Sequence, residues 1–293
     1  MRASRTVRLI ISSYDSGRHR VRMGNGPEHL LACGLSERLS REGWEVIPSF
    51  LMPTDPFPTE NGTGFSLQSL AAGAVAHASS RGEFPLILAG NCNTAAIGAL
   101  AGMAGERKGI VWLDGHGDFN TPETTETGFL DGMALAMATG RCWTSMIRKI
   151  HGFEPVPEEN VLLIGGQDLD PVEAETVARS PMTHLGVDEL RQGGVANALA
   201  SLRSRANAAY LHVDLDVHGR GHGRVNDYQP VEGLAPDEVR EIIAQVTTAI
   251  PVSAAALTAY DPACDVDGRM AAIAIDLAAF LLAQVGSGAS APL

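Results

Sequence analysis

At 293 residues, 45% hydrophobic and 19% charged, the chain has the composition of a globular protein with a sizeable core, which excludes disorder. A formal net charge of −12 without any basic stripe argues against nucleic acid and anionic membrane as partners. No run reaches the ~18 apolar residues a membrane span needs, and four scattered cysteines with no CxxC pairing read as reduced thiols in a cytoplasmic protein.

In chain order, an apolar run at 7–11 precedes a helical stretch at 28–41, and a run at 45–50 precedes a helix at 66–80. The run at 86–89 leads into an alanine-rich helix at 94–103, and 109–113 is followed by a helix at 133–139. Further on, 161–164 is followed by helical stretches at 172–178 and 195–203, 209–213 by a helix at 236–250, and 254–257 by a last helix at 270–282. Strands and helices alternating at these lengths predict an α/β fold, a mostly parallel sheet with helices on both faces. No internal repeat and no linker-like stretch divides the chain, so residues 1–293 read as one domain.

In such sheets ligands bind beyond the C-terminal ends of the strands. Two segments place acidic side chains there. Ile110-Val111-Trp112-Leu113 runs into Asp114-Gly115-His116-Gly117-Asp118, and Leu211-His212-Val213 runs into Asp214-Leu215-Asp216. A lone DxD reads more often as a polar loop, since short motifs match by chance. Two such motifs, each following an apolar strand, point instead to divalent metal, because their carboxylates would repel one another without cations. Alternation sets Asp114, His116 and Asp118 on one side of an extended segment, and Asp214 with Asp216 likewise.

These motifs resemble those of the arginase/agmatinase (ureohydrolase) superfamily, as do Arg22-Met23-Gly24-Asn25-Gly26-Pro27-Glu28 near the N-terminus and the continuation into Asn120-Thr121-Pro122. The resemblance implies a three-layer α/β/α sandwich and a pair of divalent ions. Asp114 and Asp214 would bridge them, Asp118 would complete one site, and His116 with Asp216 would complete the other. It implies hydrolytic attack on the carbon of a small guanidino substrate, with Asp118 passing a proton to the departing amine. Asn120, Thr125 and Thr127 would meet a substrate carboxylate, and Asp168, Asp170 and Glu173 an amino group. Mn2+ is the metal the resemblance favours, and homo-oligomerisation stays open.

The chain departs from the pattern at three places. Ala89-Gly90-Asn91-Cys92 stands where the family has Gly-Gly-Asp-His, so Cys92 becomes the candidate ligand, and its thiolate would favour Zn2+ or Fe2+. Asp131-Gly132 replaces a His-Gly, making Asp131 a catalytic candidate, and Ala259 replaces a glutamate that pairs with the guanidinium. The Cys-for-His exchange resembles the branch acting on Nω-hydroxy-L-arginine. The other readings are an amidinohydrolase of a guanidino acid, amidine or formimino compound, and an inactive metal-binding relative. His212 falls on the metal side by alternation but reads as a core histidine. His218 and His222 read as part of a solvated loop, in which Arg220 and Arg224 are candidate contacts for an anion.

Overall fold

Apolar strand residues facing both ways demand cover on both sides of a sheet, and that demand sets the architecture. The computed structural model describes residues 5–53 and 59–288. Eight parallel strands form one sheet: β1 (Arg5–Ser12), β2 (Trp44–Phe50), β3 (Phe84–Ala89), β4 (Lys108–Asp114), β5 (Val161–Gly165), β6 (Thr183–Leu185), β7 (Ala208–Asp214) and β8 (Val252–Thr258). Their spatial order is β2-β1-β3-β8-β7-β4-β5-β6. All seven strands read from the sequence are present. The eighth, β6, is a three-residue edge strand whose half-buried side chains give no apolar run to read.

Alternate strand residues feed two cores. On one face Val7, Leu9, Leu86, Leu88, Val111, Leu113, Leu211 and Val213 pack under helices α1 (Gly26–Ala32), α2 (Leu35–Arg41), α7 (Gly194–Arg205), α8 (Pro236–Ala249) and α9 (Arg269–Gly288). On the other, Ile10, Ile87, Ile110, Trp112 and Tyr210 pack under α3 (Glu60–Ser80), α4 (Asn93–Gly102), α5 (Ala134–Ala138) and α6 (Pro171–Arg179). The result is the expected three-layer sandwich.

Three differences from the sequence reading have local causes. The stretch 28–41 is two helices, because Gly34 takes φ 95° between α1 and α2, a left-handed conformation open to glycine. Helix α3 starts at Glu60, where the Thr59 hydroxyl accepts the Gly62 N–H at 3.2 Å. Helix α9 does have the length and apolar composition of a membrane span, contrary to expectation, but half of that stretch is buried inside the fold. Its Asp276 carboxylate bonds Arg38 and Arg240.

Helices α3 and α4 approach closely through glycine beside the site-bearing strands. A Cβ on Gly98 of α4 would come within 2.3 Å of Ala71 Cβ and 2.9 Å of the Gln68 carbonyl in α3. Gly98→Val should therefore push α4 off α3 and lower stability by about 2 kcal/mol or more, read from the urea midpoint; an unchanged midpoint would contradict this packing.

Candidate metal centre

The four central strands, β3, β8, β7 and β4, are adjacent, so the segments leaving their C-terminal ends converge. From β4, Asp114 accepts the Trp112 indole N–H at 2.9 Å and the His116 backbone N–H at 2.7 Å. Gly115 is required here: a Cβ would meet the Asp216 carbonyl and the Pro230 ring at 2.8 Å. At Asp118 the backbone adopts φ 48°, unusual for a residue with a side chain. Its Oδ2 is buried without a hydrogen-bond partner among the described residues.

From β7, Asp214 Oδ1 accepts the Asp216 N–H at 2.8 Å. Asp216 accepts from the Gly115 N–H at 3.2 Å and from Asn226 Nδ2 at 3.1 Å. His116 Nδ1 lies 3.4 Å from both Asp114 Oδ1 and Asp216 Oδ2. Its Nε2 lies 3.2 Å from the Tyr228 carbonyl, which can only accept, so the Nε2 proton sits there and Nδ1 faces the carboxylates.

From β3, Cys92 is buried, and its Sγ donates to Asp214 Oδ2 at 2.9 Å. Behind it stands a set of residues that the sequence reading left out of the site. Tyr210 OH lies 2.7 Å from His212 Nδ1, His212 Nε2 lies 3.2 Å from Thr258 Oγ1, and Thr258 Oγ1 lies 3.3 Å from Asp214 Oδ2. Since a carboxylate only accepts, Thr258 donates to Asp214, His212 donates to Thr258, and Tyr210 donates to His212. Register makes this possible. His212 is paired with Ala256 on β8 and Trp112 on β4, and the Trp112 ring stacks on it at 3.6 Å. His212 is a core histidine, as expected, but it also belongs to a group with Cys92, Asp114 and Asp214 whose ligand atoms lie within 4.8 Å of one another. Alternation was the signal for it.

Asp131 opens a short helical turn, and both of its oxygens are engaged. Oδ1 accepts from the Asn93 backbone N–H at 2.8 Å and from Asn93 Nδ2 at 3.1 Å, and Oδ2 accepts from Asn91 Nδ2 at 2.8 Å. Asp131 thus fastens the turn that carries Cys92, and it groups with Cys92 and Asp118 within the same 4.8 Å limit.

Burial of several carboxylates against one imidazole, His116, distorts the titration of this cluster. It pushes Asp114 up to about 6 and Asp131 up to about 8, and Asp118 and Asp214 well above the ordinary range, with the neighbouring carboxylates adding to the effect on the last two. Burial likewise raises the Cys92 thiol. For His116 burial acts against the charge, but Asp216 and Asp114 outweigh it and raise its pKa. For Asp216 burial is likewise overcome, and His116 holds it below the ordinary range. His212 is pushed down to about 3 by burial and stays neutral.

The donor set fits a pair of divalent cations. Carboxylates, the imidazoles of His116 and His212 and one thiol converge, and the Asp118 Oδ2 left without a partner has the environment of a ligand atom.

The cluster floors a cavity of about 220 Å3, which all six residues expected to bind substrate also line: Asn120, Thr125, Thr127, Asp168, Asp170 and Glu173. Asn120 is committed within its own loop, donating to Asp170 Oδ2 at 2.9 Å and accepting from the Thr124 hydroxyl at 2.9 Å. Thr125 and Thr127 oxygens accept backbone N–H groups at 3.1 and 3.2 Å, leaving both hydroxyl protons free to donate to a ligand. Glu173 accepts the Phe119 N–H at 2.7 Å, and burial pushes it up to about 7. Ala259 also lines the cavity, at φ 64°. Met23, from the N-terminal motif, also lines it, and Phe129, Asn226 and Tyr228 are lining residues that no motif marked.

The loop after β7 differs from expectation. His218 is fully buried and donates to the Leu234 carbonyl at 3.0 Å. Arg220 donates to the Gln229 carbonyl at 2.7 Å and Arg224 to Asp227 at 2.6 Å, and neither lines the cavity. The loop is pinned from inside by Gln229, whose side-chain amide donates to the His218 and Gly223 carbonyls at 2.8 and 3.0 Å.

Residues 7–283 match the model of the arginase family. The arginase of Bacillus subtilis (strain 168) is 32% identical over 225 residues, covering 72% of this chain and 75% of that protein. The N(omega)-hydroxy-L-arginine amidinohydrolase of Streptomyces lavendulae is 32% identical over 166 residues, 56% of each chain. The crystal structure of arginase from Bacillus subtilis superposes with a TM-score of 0.85 at 26% identity, covering 95% of this chain and 98% of that one.

The raised carboxylates fix how the metal-free protein responds to pH. Asp114 and Asp131 keep protons to about 6 and about 8 when folded, against 3.8 for the free group. Between those values the folded state binds more protons than the unfolded one, so stability falls as pH rises. The downward shift of Asp216 acts below this window; those of His212 and His218 oppose the trend up to about pH 6.5 but are outnumbered by the raised carboxylates Asp114, Asp118, Asp131, Glu173 and Asp214. Chelator-treated protein should lose melting temperature from about pH 5 to about pH 8, and Mn2+ should restore most at the alkaline end. A flat profile would mean that these carboxylates are otherwise neutralised.

Proposed function

The chain belongs to the arginase family and is a ureohydrolase acting on carbon–nitrogen bonds of linear amidines, and from that premise we propose that it hydrolyses a guanidino or hydroxyguanidino compound of the arginine type. The products would be urea or hydroxyurea and an amine. The observation carrying this reading is the buried convergence of Cys92, Asp114, His116, Asp118, Asp214 and Asp216 under a cavity lined by hydroxyl and acidic groups. The whole chain would act as one catalytic unit.

Asp114 and Asp214 would bridge two divalent ions, Cys92 and Asp118 completing one site and His116 and Asp216 the other. Bound there, the ions supply an acidified water and compensate the carboxylate charge. Asp118 faces the cavity with an unpartnered oxygen and would carry a proton to the departing amine. Asp131 lines the same cavity, and its Oδ2 has a lone pair to spare for a guanidinium N–H beyond its bond from Asn91. Thr125 and Thr127 would donate to a substrate carboxylate, with Asn120 holding their loop against Asp170. Asp168, Asp170 and Glu173 would receive an amino group.

A specific observation favours the hydroxyguanidino reading. Ala259 lines the cavity with a methyl group where a guanidinium-pairing carboxylate would strengthen binding of a full cation. A hydroxyguanidine is less basic and needs that ion pair less. Mn2+ suits the carboxylates, and the thiol of Cys92, if a ligand, would shift the first metal position toward Zn2+ or Fe2+.

Release of urea and hydroxyurea from arginine, Nω-hydroxyarginine, agmatine and 4-guanidinobutyrate, each with Mn2+, tests the reading; no release from any of them would overturn it. Asp118→Asn should lower kcat by about 10²-fold or more while leaving the fold intact by circular dichroism. Cys92→Ala should reduce bound metal from two equivalents toward one and abolish the thiolate-to-cobalt absorption of the Co2+-loaded protein. A cobalt spectrum without a thiolate band in the wild type would remove Cys92 from the ligand set.

A further inference from the structure

Two aromatic rings meet over the cavity from separate loops. Phe129 precedes the turn opened by Asp131, and Tyr228 lies in the loop after β7. Their centroids are 5.3 Å apart with planes 25° from parallel, and both side chains line the cavity. Neither was marked by any motif, and neither belongs to the metal cluster.

Tyr228 is 41% exposed, yet it is held at three points. Its hydroxyl accepts from Arg22 Nη1 at 3.0 Å, its N–H donates to Asn226 Oδ1 at 2.9 Å, and its carbonyl accepts from His116 Nε2 at 3.2 Å. Arg22 is itself fixed, donating from Nη2 to the fully buried Asp15 at 2.9 Å and to the Ser16 hydroxyl at 3.0 Å. The Arg22 backbone stands at φ 45°, a conformation that costs about 1 kcal/mol for a residue with a Cβ. An exposed aromatic held this firmly, and tied through its carbonyl to the imidazole of the metal cluster, is a built wall of the cavity.

The chemistry of that wall selects one kind of substrate tail. Among the described residues lining the cavity none is lysine or arginine, whereas Asp168, Asp170 and Glu173 are among them. An aromatic face attracts a cation and gives nothing to an anion. We propose that Phe129 and Tyr228 form a π-faced roof that selects guanidino substrates whose far end carries an ammonium group. The proposal rests on the hydrolase reading above and adds residues that decide which guanidino compound is accepted. Arginine, its Nω-hydroxy derivative and agmatine satisfy the roof, while a tail bearing only a carboxylate does not.

The test compares wild type, Phe129→Ala, Tyr228→Ala and Tyr228→Phe on three tails of similar length: agmatine (ammonium), 4-guanidinobutyrate (carboxylate) and butylguanidine (uncharged). Each alanine variant should raise KM for agmatine about tenfold, with a smaller effect on kcat, and should leave the other two tails within about twofold. Tyr228→Phe keeps the ring and should retain the preference. Calorimetric titration of the Mn2+-loaded proteins with the same three compounds reads the roof even if none is turned over, so failure of the hydrolase reading and failure of the roof are separable. An equal loss for all three tails, or none for agmatine, overturns the proposal, as does a wild type that binds butylguanidine as tightly as agmatine. Melting temperatures close to wild type show that the losses do not come from unfolding.

Discussion

Asp114, Asp118, Asp214 and Asp216 lie almost out of contact with solvent in one cluster, and the charge facing them there is a single imidazole. Four ionised carboxylates in so little water are mutually repulsive, and each in isolation would give up its charge before accepting burial. Apart from Asp216, which His116 keeps ionised, the carboxylates are therefore either protonated or neutralised by cations. Much else follows from this constraint. The backbone N–H groups of Gly115, His116 and Asp216 and the indole of Trp112 are all spent on carboxylate oxygens, which orients them without neutralising them.

The sheet makes the cluster possible because it is packed on both faces. Strands β3, β8, β7 and β4 are held from each side by side chains with almost no exposed surface, so the positions where they end are fixed to within the tolerance of a close-packed core. The relay from Tyr210 through His212 and Thr258 to Asp214 extends that fixity into the polar layer. Its members alternate along β7 and β8 on a single face, and stacking on Trp112 fixes the plane of the His212 ring. Polar groups buried so deeply are tolerated because each finds a partner.

Against this shared framework of the arginase family, the chain's own character lies in its departures. At Cys92 a buried thiol donates to the carboxylate beside it, so it would enter a metal site only by losing a proton that burial makes it keep. Asp131 serves first as a clamp on the Asn91–Asn93 turn, which places a carboxylate in the cavity from a direction dictated by that turn. Ala259 leaves a methyl in the wall. Phe129 and Tyr228 line the same cavity from two other loops.

The sequence by itself determined the α/β alternation, seven of the eight strands and the strand-end motifs, because each is a local pattern: an apolar run, a period of two, an acid directly after a strand; the acidic and hydroxyl residues around the cavity were reached through the family resemblance instead. It also held the signal for His212, whose place on the metal side follows from the same alternation. Only the tertiary structure decided what depends on segments far apart in the chain. The edge strand β6 is too short and too polar to carry a pattern, and the break between α1 and α2 rests on one glycine. The buried His218 read as part of a solvated loop, and Gln229, which pins that loop, carried no signal, because their partners are backbone carbonyls, which no side-chain motif records. Phe129 and Tyr228 are 99 positions apart in sequence and ordinary in composition, and they become a pair only when two loops are brought together over the ends of the sheet.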